Sequence, residues 1–175
     1  MAAVKGAEKL MRQLNNLGNV EPTLRSAMNL AVKGVQAQAR RYIPNGGNTG
    51  ALARSIKTKV EIGEGMLTGT VYTNKKYAAY VEFGTGPVGQ DNHEGISPEV
   101  TPAYSQNGWW FPGDKITPQD AAKYHWPGMT TDDGKILYFT QGQPAYPFMY
   151  PALKNQEENI KNLFAEKMCA HIKEV

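Results

Sequence analysis

Residues 21–42 read EPTLRSAMNLAVKGVQAQARRY, and after the run IPNGGNTGA residues 52–62 read LARSIKTKVEI. The hydrophobic period differs between these two pieces. At 100° per residue Leu24, Met28, Ala31, Val35 and Tyr42 fall on one stripe of a helix, and Arg25, Lys33 and Arg40 fall on its far side. Pro22 sits where a first helical turn tolerates proline. From Pro44 to Gly50 the residues favour a break. Beyond it the period becomes two: Leu52, Ile56, Val60 and Ile62 point one way, and Ser55, Lys57, Lys59 and Glu61 the other. Gly63-Glu64-Gly65 connects to a returning strand, Met66 to Thr73, so residues 52–73 read as a hairpin. A long helix followed by a half-buried hairpin sets the fold class as α+β.

Working outward, residues 4–17 carry Val4, Leu10, Met11, Leu14 and Leu17, a short amphipathic helix stopped by Gly18. Tyr77 to Phe83 is too short for its periodicity to separate a helical turn from a strand. Residues 84–146 are rich in proline, carry seven acids against three bases, and hold all three tryptophans. Two apolar runs there, Trp109-Trp110-Phe111 and Ile136-Leu137-Tyr138-Phe139, read as a strand pair with a long loop between. A structureless excursion of that length would be unusual. The chain closes on a helix led by Pro151, with Leu153, Ile160, Phe164 and Met168 as its apolar side. The expected architecture is an antiparallel sheet packed against the long helix of the N-terminal half and the C-terminal helix. Residues 1–175 then form one domain, with a core at about 20–85 and 136–172 and a Pro/Gly-rich insertion at about 86–135.

At 175 residues and 41% hydrophobic, the chain is too apolar to be wholly disordered. It has no run of ~20 apolar residues to cross a bilayer, so no membrane partner is expected. One cysteine, Cys169, excludes an internal disulfide framework and a cysteine-built zinc cage. The net charge of +3 is unevenly spread: residues 1–60 hold ten Lys/Arg against two Glu, residues 61–175 nine against fourteen acids. Such a distribution fits differently solvated faces, a head-to-tail contact between copies, or a basic face turned to a polyanion.

The chemistry-bearing patterns fail their context tests. Gly84-Thr85-Gly86-Pro87-Val88-Gly89 satisfies G-x-G-x-x-G, but residues 90–98 do not continue as an amphipathic helix and no βαβ unit follows, so a glycine-rich turn is the reading. His93, His125 and His171 never reach metal-ligand spacing, and His171 reads as a partly buried, hydrogen-bonded side chain of the last helix. Asp132-Asp133-Gly134 lacks the glutamate of a calcium loop and reads as a turn. No catalytic, metal-ligating or cofactor-binding residue is assigned, and no cofactor or enzymatic activity is expected. Arg25, Lys33, Arg40 and Arg41 form a basic face able to follow a phosphate backbone without reading bases. Trp109 and Trp110 fit base stacking, a strand packed into the core, or a contact between subunits.

Three blocks occur in order: Thr49 to Ile56 (TGALARSI), Tyr77 to Thr85 (YAAYVEFGT) and Pro144 to Leu153 (PAYPFMYPAL). Together, behind a basic amphipathic helix, they resemble the tail-component family named after gene product ten of a lambda-like coliphage. The likeness covers about residues 20–85 and 144–170; residues 86–143 look longer than the family's usual link, so no role for Trp109, Trp110 or Asp114 is inherited. The resemblance implies a non-enzymatic α+β virion protein of a long-tailed phage or prophage, acting at the neck or head-proximal tail end in head–tail joining or tail completion. Its implied partners are other copies in a ring, the connector or head-closure protein, tail proteins, and non-specific DNA in a lumen. The implied location is the virion, with the host cytoplasm during assembly. Tyr80, Glu82, Phe83, Gly84 and Thr85, with Trp109 and Trp110, are the expected subunit or partner interface, and Glu82 is expected to pair with a cation. The alternative is a small nucleic-acid-binding module using the basic helix face.

Overall fold

The computed structural model describes residues 20–44 and 50–173, so the helix expected over residues 4–17 lies outside the described residues. In chain order the elements are α1 (Glu21–Tyr42), α2 (Ala51–Ser55), β1 (Lys57–Gly63), β2 (Met66–Tyr72), α3 (Ala78–Phe83), α4 (Gly86–Asp91), β3 (Trp109–Pro112), α5 (Pro118–Lys123), β4 (Gly128–Thr130), β5 (Ile136–Thr140), α6 (Tyr150–Lys154) and α7 (Glu157–Lys173). The fold is α+β, and the antiparallel strands belong to two sheets, β1-β2 and β3-β5-β4. The chain divides into two compact units, Met1–Lys75 with Phe148–Val175, and Lys76–Pro147.

In the first unit α1 is the organising element. Glu21 in its first turn and Arg40 and Arg41 in its last suit the helix dipole. Its stop follows from Pro44, which pushes Ile43 into an extended conformation (φ −65°, ψ 124°). Of the stripe expected from the sequence, Ala31 and Val35 are buried while Leu24, Met28 and Tyr42 are half-buried. The centre of the packed side is made by Ala27, Val32 and Ala39 with those two, and Leu52, Ile56, Phe148 and Ala152 of the same unit are buried as well. The hairpin lies on this helix, with Lys57 opposite Tyr72 and Gly63 opposite Met66. Glu64 and Gly65 form its two-residue turn, both at positive φ (52° and 75°). Helix and hairpin approach closely at Gly69, where a Cβ would stand 2.5 Å from Met28 Sδ and 2.6 Å from Val32 Cγ1.

Two expectations fail here. Residues 52–55 are helical, not the start of the hairpin: Arg54 N–H donates to the Gly50 carbonyl (3.0 Å), and the Ser55 hydroxyl to that of Leu52 (2.7 Å). Leu52 and Ser55 are both buried, a three-residue spacing that fits one helical turn and breaks the alternation, which had placed them on opposite faces. The C-terminal helix is interrupted between Lys154 and Glu157, and Leu153 is 50% exposed, so it does not share the inner side with Ile160, Phe164 and Met168. The hydroxyl of Tyr42 holds the α6–α7 junction, accepting from Gln38 Nε2 (2.8 Å) and Asn155 Nδ2 (2.5 Å). His171 meets Thr23 Oγ1 through Nδ1 at 3.0 Å, the hydrogen-bonded role read from its position.

The second unit contains the expected strand pair and more. β3 and β5 pair antiparallel, Trp109 opposite Thr140 and Phe111 opposite Tyr138, and β4 adds a third strand on the other side of β5. The segment between β3 and β5, read as one long loop, holds α5 and β4. Thr117 caps α5 by accepting from Asp120 N–H (3.1 Å). Asp132-Asp133-Gly134 is the turn between β4 and β5, with Gly134 at φ 77°.

Candidate interaction surfaces

The block Tyr80 to Thr85 lies on α3 and the corner after it, so the ambiguous segment 77–83 is a helical turn. Gly84 makes the corner at φ 74°, ψ −178°, a conformation open essentially to glycine alone. A Cβ there would also stand 2.8 Å from Ala145 N and from the Gln143 carbonyl oxygen. The reason is a close backbone zipper: Thr85 N–H donates to the Gln143 carbonyl (2.9 Å), Gln143 N–H to that of Thr85 (3.1 Å), and Tyr146 N–H to that of Val81 (2.8 Å). The second and third sequence blocks thus touch directly across 60 residues of chain, and Gln143 Nε2 adds a bond to the Tyr80 carbonyl (2.8 Å). Within the block Glu82 is buried and engaged, Phe83 and Thr85 are half-buried, and Tyr80 is 59% exposed.

A six-residue helix, α4, does begin at Gly86, where the sequence suggested only a turn. Its glycines serve packing, since Gly86 and Gly89 press against the backbone of residues 141–143 and 84. After α4, His93 stacks on Tyr104 (centroids 5.7 Å apart), whose hydroxyl donates to the Phe83 carbonyl (2.7 Å). Burial pushes the Tyr104 phenol above its ordinary pKa. A shallow groove of about 470 Å³ runs beside them, lined by His93, Ile96, Val100 and Tyr104 among others.

The adjacent tryptophans separate because neighbouring residues on a strand face opposite ways. Trp109 and Phe111 share one face of the three-stranded sheet, packed around Tyr138 at its middle, although Trp109 stays 38% exposed. Phe111 packs edge-on against Trp126 (5.1 Å) and tilted against Tyr138 (6.2 Å), and Trp109 lies over Gly86. Trp110 is on the other face, in ring contact with Phe139 (5.3 Å), and the strand register places Pro112, Leu137 and Met129 beside them. That face is apolar and open, with Trp110 47% and Met129 45% exposed. Leu137 and Phe139 were read from the sequence as part of a strand but not as members of this face, which the alternation of ILYFT set opposite WWF could have shown; Met129, on β4, was not singled out.

The edge of this sheet is blunted. Gly113 N–H donates to the Ile136 carbonyl (2.8 Å), so by antiparallel alternation Phe111 and Trp109 face β5 with their amides while the nitrogens of Trp110 and Pro112 turn outward. Pro112 has no N–H, which is why an edge strand accepts it.

On α1, Arg25, Lys33, Arg40 and Arg41 are all exposed, but they are not equivalent. Arg25 pairs with Glu21 one turn earlier (3.5 Å). Arg40 donates through Nε to the Ala53 carbonyl (3.0 Å) and through Nη2 to that of Ile56 (2.9 Å), which also accepts from Gln36 Nε2 (2.7 Å). Lys33 and Arg41 make no ion pair among the described residues. Charge follows the two compact units: the first holds 15 Lys/Arg against 8 acids, the second 4 against 8. Among the described residues no group of acidic, histidine or cysteine side chains is placed to hold a metal ion, and no helix is long and apolar enough to cross a membrane.

Residues 8–84 match the family model described as "Bacteriophage HK97-gp10, putative tail-component", the family that the three sequence blocks resemble. The matched stretch takes in α1, α2, the hairpin and α3, and ends at Gly84 before the three-stranded sheet. No curated protein and no solved structure matches the chain.

Proposed function

We propose, from the tail-component match over residues 8–84, that this chain is a structural subunit of a long-tailed phage or prophage virion, standing at the neck or head-proximal end of the tail. It works by contact rather than catalysis, joining head to tail or completing the tail, against copies of itself in a ring and against connector and tail proteins. Its place is the virion, reached through assembly in the host cytoplasm. The observation that carries this reading is the family match; the open Trp110 face and the opposite charge of the two units support a role in contacts. A ring needs one surface of each subunit to complement a different surface of the next, and unlike charge on two units of one chain supplies that.

The DNA-binding alternative is less well supported, because a phosphate would compete with Glu21 for Arg25 and with two carbonyls for Arg40. A DNA contact in a lumen then rests on Lys33 and Arg41. The test is a nonsense mutation in the gene of the parent phage. Expected are separate heads and tails, joined when purified protein is added back, with labelled protein at the neck. Joined, infectious particles lacking the protein, or label at the distal tail tip, would overturn the reading.

A further inference from the structure

We infer that the open face of the three-stranded sheet, centred on Trp110, seats on the outward stripe of α1 of a second copy. This rests on the self-assembly reading above and adds the two surfaces that meet. The first surface is the apolar sheet face formed by Trp110, Met129, Leu137 and Phe139. At one end of that sheet stand three exposed acids and two lysines. Asp114 comes just after the Gly113 amide that bonds Ile136 and is followed by Lys115. In the turn joining β4 to β5, Asp132 lies beside the Asp133–Lys135 ion pair, which leaves Asp114 and Asp132 as the acids in question. Neither makes an ion pair among the described residues.

The second surface is a stripe at helical spacing on α1: Ser26, Leu30, Lys33, Ala37 and Arg41, all exposed. Leu30 is 45% exposed, flanked by small residues that let a flat sheet approach, with Lys33 one turn on and Arg41 about three turns on along the same stripe. An aromatic and methionine centre with an acidic border thus meets a leucine with a basic border. Apolar anchor and charge agree on the same partner, and the two surfaces differ, as a head-to-tail contact requires.

The experiment measures association of the full chain by sedimentation velocity, alone and with tails lacking the protein, with circular dichroism confirming the fold of each variant. Trp110→Ser and Leu30→Ser should each weaken association by about 30-fold, the scale of a central anchor. Charge reversal of either surface, Lys33→Glu with Arg41→Glu or Asp114→Lys with Asp132→Lys, should do likewise. Combining both reversals in one chain should restore association, because every contact then carries swapped charge on both sides. Wild-type association with unchanged variants, or a combined variant that stays dissociated, overturns this pairing of surfaces while leaving self-assembly standing. A wild-type chain that never associates, alone or on tails, overturns the self-assembly reading and this inference with it.

Discussion

The guanidinium of Arg40 donates to the carbonyl oxygen of Ile56, 2.9 Å away, at the end of the single turn that follows α1. A cation on the outward side of a helix thereby closes a neighbouring helix, whose last carbonyls have no partner of their own. Arg40→Ala should cost about 1–2 kcal/mol in urea denaturation, the scale of charge-assisted hydrogen bonds at a partly exposed site. Arg41→Ala, with no such bond among the described residues, should stay within about 0.5 kcal/mol of the parent.

Gly69→Ala should destabilise the helix–hairpin contact by about 1–3 kcal/mol, because the added methyl meets Met28 and Val32. Met28→Ala in the same chain should recover part of that loss. Simple addition of the two costs, read from denaturation midpoints, would contradict the packing described.

Gly84→Ala faces both a glycine-only conformation and the Gln143–Ala145 backbone. Strain alone is worth about 1–3 kcal/mol, and no side chain can yield to relieve the backbone clash. Hydrogen exchange should show lost protection at Thr85, Gln143 and Tyr146.

Adjacent positions on β3 should respond unequally to truncation. Phe111→Ala removes a ring packed between Trp126 and Tyr138 and should cost about 2–4 kcal/mol in thermal unfolding. Trp110→Ser, on the open face, should cost about 1 kcal/mol or less.

Asp133, bonded to Lys135 and Thr131 in the β4–β5 turn, is held below its ordinary pKa, chiefly by the Lys135 ammonium. A depressed carboxylate stabilises the fold above its unfolded pKa, and that contribution fades as pH falls through the lower folded value. A carboxyl carbon titration by NMR should place Asp133 below the ordinary aspartate value, and Lys135→Met should raise it.

The parts legible in the sequence are those in which one local rule dominates. Helix α1 follows from a long 3.6-residue stripe with Pro22 and Pro44 at its limits, and β3 and β5 from short aromatic runs. Residues 52–55 were misread because the four-residue spacing of Leu52 and Ile56 suits helix and strand alike, and the inward Ser55 that decides for a helix is a polar residue that reads as outward. Leu153 was misplaced because the break at residues 155–156 resets the helical phase without a proline or glycine to mark it. The interaction surfaces were half legible. Trp109 and Trp110 could be named, but only pairing with β5 says which of them turns inward. That Arg40 is already occupied depends on a chain reversal that composition does not encode.

Pro112 has a consequence for counting. A sheet whose rim keeps offering amides recruits strand after strand and lengthens without limit, as fibrils do. Here that rim offers one outward amide, from Trp110, and then a proline. Growth by backbone pairing along β3 is cut short, which leaves a side-chain face, not this rim, as the way for a copy to dock beside β3; a contact of fixed angle between faces can bring a set of molecules back to its starting point and end it.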